Sequence, residues 1–212
     1  MPNMMAFITA CCRKLRDRCS RWLTLGLLLL ATTAGAAEIA VNDPRFSIVD
    51  EGYAVSADFD FELNGRLEEV VNRGVVLYFQ LEFALVRPRW YWFDEKVVSR
   101  SQTVRLSYHA LTRQYRVSTG SGGLHQSYAT LSEAVRVLSR LRNWVVLDKG
   151  AEQAPRPGEA LQAALRMQLD ITQLPKPFQI AAVGSRDWSL ASDWKTWPIV
   201  LPNPENKAGE TR

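Results

Sequence analysis

Cysteine is scarce in this chain and absent beyond position 19: there are three, Cys11, Cys12 and Cys19, all within the first nineteen of 212 positions. A disulfide framework, a thiol nucleophile or a cysteine metal site in the body of the protein is therefore excluded. Histidine is scarcer still, with only His109 and His125. A triad needs a nucleophile, a base and an orienting acid brought together. No nucleophile-elbow or HExxH pattern offers a start. No apolar run reaches the roughly 20 residues of a spanning helix, and there is no internal repeat. Catalytic residues, metal ligands and cofactors are each expected to be none.

What is present begins with an export signal over residues 1–37. Arg13, Lys14, Arg16, Arg18 and Arg21 make a basic n-region, Leu23 to Ala31 an apolar stretch, and Ala34-Gly35-Ala36-Ala37 a small-residue cleavage region. That order marks a secretory leader cut after Ala36 or Ala37. The apolar stretch, short and broken by threonine and glycine, is a poor anchor, so no stable membrane anchor is expected after cleavage. Five of the 26 basic residues and one of the 22 acidic ones fall in residues 1–37, leaving 21 of each in a formally neutral remainder. The basic character of the whole chain thus belongs to the leader, and a nucleic-acid partner is not expected. The predicted address is the periplasm.

The rest reads mainly as strands. Val55, Ala57, Phe59, Phe61 and Leu63 alternate with Ser56, Asp58, Asp60 and Glu62. The same period runs through Val75–Leu85, Val104–Ala110, Tyr115–Thr119 and Leu165–Ile171, with weaker candidates at Ile39–Ile48 and Lys195–Leu201. Alternation of this kind buries one face and wets the other, which favours antiparallel pairing. Two helices are predicted: a short one over about 64–73, capped by Asn64 and stopped at Gly74, and an amphipathic one over about 130–143, opened by the capping box Thr130-Leu131-Ser132-Glu133. The expected fold class is mainly β (α+β), an antiparallel β-sandwich-like sheet with those two helices, forming one domain over 38–201 before a flexible tail at 202–212.

Few residues offer chemistry. Asp58, Asp60 and Glu62 share a strand face, with Asp50 and Glu51 upstream; they form either a solvated acidic face or an ion site. Arg105, Arg113 and Arg116 supply cross-strand cationic partners. The densest feature is Arg87-Pro88-Arg89-Trp90-Tyr91-Trp92-Phe93-Asp94-Glu95. Its four consecutive aromatics either make a binding surface, or Trp90 and Trp92 fill the core while Tyr91 and Phe93 lie beneath the longer helix. Trp188 and Trp194 in the second aromatic cluster carry the same two readings.

The segments RPRWYWFDEKV (87–97), RLSYHALTRQYRVSTG (105–120) and RDWSLASDW (186–194) resemble an uncharacterised family of proteobacterial exported proteins, a domain of unknown function. The resemblance runs from about Val41 to Trp197. It implies an envelope location and brings no catalytic residue with it. Genes of its relatives often neighbour a two-component sensor kinase and response regulator, which implies an accessory role in signalling. The expected function is a non-enzymatic periplasmic protein that binds another envelope component through Arg87, Arg89, Trp90, Tyr91, Trp92, Phe93, Trp188 and Trp194. The alternative is a small-ligand module whose tryptophans line a pocket for a glycan or lipid.

Overall fold

The structure, a computed structural model, describes residues 38–89, 94–120, 124–148, 155 and 158–201. The leader with its cleavage residues Ala36 and Ala37, the aromatics Trp90, Tyr91, Trp92 and Phe93, and the tail at 202–212 lie outside the described residues.

Strands β1 (Ala40–Val49) and β2 (Gly52–Asp60) form a hairpin closed by Asp50 and Glu51. Residues 43 and 44 of β1 bulge out of the ladder, with Asp43 left-handed at φ 45°. The bulge admits Pro44, which has no N–H to donate. Asn64 then caps α1 (Gly65–Asn72) by accepting from Leu67 N at 2.9 Å, and Gly74 ends the turn at φ +87°. Leu67, Val70 and Val71 are the buried face. The Tyr115 hydroxyl donates to Asn72 at 2.7 Å, tying the end of α1 to the sheet, and burial pushes that phenol's pKa up.

A long hairpin of β3 (Leu77–Arg87) and β4 (Glu95–His109) follows, continued by β5 (Gln114–Thr119) and β6 (His125–Tyr128). Helix α2 (Leu131–Leu138) leads directly into β7 (Arg140–Asp148), and β8 (Ala160–Leu169), α3 (Lys176–Ala182) and β9 (Lys195–Val200) complete the chain, with 3₁₀ turns at Ile171–Gln173 and Arg186–Trp188. All ladders are antiparallel, in a three-stranded sheet ordered β1-β2-β7 and a six-stranded sheet ordered β6-β5-β4-β3-β8-β9.

The two sheets share one core. Leu77, Phe79, Leu81, Phe83 and Leu85 of β3 are buried together with Leu165 and Met167 of β8 and Val55 and Phe59 of β2. Phe83 bridges the layers, 6.4 Å from the Phe46 ring on β1 and 6.5 Å from Trp144 on β7. Each such side chain contributes about 1.5–3 kcal/mol by leaving water. The fold is thus mainly β with two antiparallel sheets, as the alternation predicted.

Several boundaries move. The helix predicted over 130–143 ends at Leu138, and residues 140–143 open β7 instead. Leu141 is buried in either geometry, so helical spacing ran on past the true end. Pairing with β2 and the β-favouring run Trp144-Val145-Val146 decide for the strand. Strand β4 is far longer than its alternation indicated because Arg100 and Gln102 interrupt its apolar face. Strand β6 and helix α3 were not predicted; each is too short for a period to show.

Gly52 is the tightest point of the small sheet. Its φ is +155°, and a Cβ there would stand 2.1 Å from the Leu147 carbonyl oxygen on β7. Gly52→Ala is expected to cost about 2–3 kcal/mol through strain and forced strand separation, seen as a lowered urea midpoint. An unchanged midpoint would show that β2 and β7 are not this close.

Candidate functional site

The β3–β4 hairpin carries the aromatic segment, and its base is clamped by charge. Arg87 and Glu95 face each other in register at the last rung. The Arg87 guanidinium donates to Glu95 Oε2 at 2.7 Å and, through Nε, to Glu159 just before β8. Arg89 donates a second hydrogen bond to Glu95, and its backbone N–H donates to Asp94 Oδ1 at 3.3 Å. Two arginines and two glutamates from three chain segments therefore form a collar on both sides of residues 90–93. Alternating signs let each carboxylate satisfy guanidinium donors, an arrangement stronger than isolated exposed pairs. The hydrogen bonds to Glu159 and Glu95 push the Arg87 pKa further up, and Arg87 holds the Glu95 carboxyl below its ordinary range.

The two tryptophans grouped with this segment lie elsewhere and apart. Trp188 is 3% exposed, its ring 5.8 Å from Phe178 of α3. It fills the core and presents almost no surface of its own, only edging a pocket of about 360 Å3 beside Ile171 and Ala182. Trp194 is 41% exposed, and the Arg166 guanidinium lies 4.6 Å from its ring centre. Arg166 also grips Glu82 through Nε at 2.7 Å and Nη2 at 2.6 Å. Arg166 lies six residues along β8 from Ala160, about 20 Å from the collar. Trp188 and Trp194 thus line no common pocket with the collar.

The remaining candidates are also dispersed. His109, at the end of β4, stands 3.2 Å from the Thr112 hydroxyl, and His125 lies on β6 opposite Ser118. With His109 opposite Gln114 on β5, the two are about 13 Å apart along the sheet. Asp58 accepts from Arg142 at 2.5 Å, and Asp50 and Glu51 form the β1–β2 turn. Among the described residues no three histidine, cysteine or acidic side chains converge as metal ligands. Among the described residues the three arginines expected as cationic cross-strand partners form no ion pair. Arg105 donates to the Gly120 carbonyl at 3.2 Å, Arg113 occupies a left-handed turn position at φ 51°, and the buried Arg116 Nε has no hydrogen-bond partner among the described residues. Glu159 in the collar was missed; it sits next to β8 with no motif around it, and only tertiary pairing brings it to Arg87.

These features define a class: a two-sheet antiparallel β protein with short helices and an ion-paired collar at one hairpin. Within that class the chain belongs to a family catalogued as Domain of unknown function (DUF4390), whose model matches residues 36–198. No curated protein and no solved structure matches the chain.

Two outcomes follow. Trp188→Ala is expected to destabilise by about 3–5 kcal/mol, as for a buried large aromatic, whereas Trp194→Ala should cost under about 1 kcal/mol; urea unfolding measures both. Because the folded Glu95 carboxyl titrates below its unfolded value, its stabilising share is present above the ordinary carboxylate range and lost as pH falls below that range through the lowered folded value. The thermal midpoint of the parent should exceed that of Glu95→Gln at neutral pH, and the two should converge on acidification. A gap that persists at low pH would rule out the collar as its source.

Proposed function

We propose that the protein is exported to the periplasm through a cleaved leader and acts there, without catalysis, by binding another envelope component through the β3–β4 hairpin. The observation that carries this reading is the collar. Arg87, Arg89, Glu95 and Glu159 hold both ends of a segment whose sequence is Trp-Tyr-Trp-Phe. Tryptophan, tyrosine and arginine dominate binding hot spots, and fixing their scaffold beforehand lowers the ordering cost of association. The dispersal of His109 and His125 supports the non-enzymatic part. A sensor kinase's outer domain is the partner to which the signalling resemblance points.

Capture of partners from envelope extracts tests this. Folded Trp90→Ala and Tyr91→Ala variants are expected to retain less than about a tenth of the partner held by the parent, the size of a hot-spot loss. If both keep every partner, the hairpin is not the binding surface.

A further inference from the structure

The six-stranded sheet is wider than the three-stranded sheet packed on it, and β7 is an edge strand. A cleft of about 790 Å3 opens beside that edge, within the size range of small-molecule sites. Leu81, Val104 and Val117 line it from the large sheet, and Val137 and Leu138 from the end of α2. Leu141 and Trp144 of β7 form the opposite wall. Leu124, 84% exposed, leaves apolar surface at the rim.

Charged groups in this cleft are of one sign. Its lining includes Arg140, Arg142 and His125 but no carboxylate among the described residues. Arg142 is occupied by Asp58 and by the Ala57 and Leu141 carbonyls. Arg140 is exposed; its register partner on β2 is Asp58, whose carboxylate is taken by Arg142, and Arg140 itself forms no ion pair among the described residues. The nearby end of α2 does not compensate it: Val135 and Val137 carbonyls accept from Ser139 N, and the Ser139 carbonyl accepts from Phe59 N at 2.8 Å. Gln102 also lines the cleft, and its Oε1 is buried with no hydrogen-bond partner among the described residues. A buried acceptor left unpaired carries a desolvation penalty that a ligand N–H or O–H relieves.

We infer that this cleft binds a single-chain anionic amphiphile, with its chain against the apolar walls, its anionic head at Arg140, and a hydrogen-bond donor near the head paired with Gln102 Oε1. A peptide added as an extra strand fits less well. The β7 ladder slips twice, between Tyr53 and Ala54 and between Val55 and Ala57 of its neighbour, with Asn143 left-handed at φ 47°. Such bulges interrupt the regular row of backbone groups that an added strand must read. Side chains, not backbone, dominate recognition here.

N-dodecanoylglycine, which has a C12 chain, an amide N–H and a carboxylate, is the probe, titrated calorimetrically below its micelle concentration. Saturable one-to-one binding is expected. Arg140→Glu should weaken it by about tenfold or more, the size of one charge-assisted hydrogen bond. Gln102→Leu should weaken N-dodecanoylglycine while leaving dodecanoate, which lacks the amide, unchanged. Dodecyltrimethylammonium should not bind. The inference is overturned if binding is not saturable, if folded Arg140→Glu binds as the parent does, if the cationic or a neutral C12 amphiphile binds equally well, or if an acidic peptide binds where N-dodecanoylglycine does not.

Discussion

The molecule depends on one constraint, that the alternate side chains of β3 must find apolar partners on the layer above. Leu77, Phe79, Leu81, Phe83 and Leu85 form a continuous buried row, and β3 is hydrogen-bonded on both sides by β4 and β8. A one-residue slip in either ladder would turn this row outward and put Tyr78, Gln80 and Glu82 into the core. Phe83 carries the constraint between layers, since its ring meets both Phe46 and Trp144. The small sheet is therefore held by packing on β3 more than by local preference.

Polar interactions are consequences of that arrangement. In-register pairing of β3 with β4 sets Arg87 opposite Glu95, and pairing of β3 with β8 brings Glu159 to the same place. Glu82 and Arg166 meet by the same cross-strand logic. These pairs are partly exposed, so each adds little to stability alone. Their effect is positional: the collar ties the end of β3 to the start of β4 and to the residue before β8.

The unequal widths of the sheets explain the rest. Edge strands invite unwanted pairing, and this fold blunts them with Pro44 in the β1 bulge, Pro198 in β9 and the two slips in β7. Where the large sheet extends past β7, helix α2 covers part of the surplus apolar surface, and the cleft occupies another part.

Period-two alternation, the Asn64 and Thr130 caps and the Gly74 stop were legible in the sequence, because each depends on residues within a few positions of one another. So was the strongly aromatic character of the hairpin. The end of α2 was not legible, because Leu141 suits a helix face and a strand face alike, and only β2 chooses between them. Nor was the separation of Trp188 from Trp194, which are alike as sequence but differ in burial, the first in the core and the second half-exposed beside Arg166. Glu159 gained a role from a partner 72 residues away. The chain alone determined which side chains must leave water, since that is a property of each residue and its spacing; the tertiary structure decided which of them meet, since burial is non-directional and only the pairing of distant strands gives it an address.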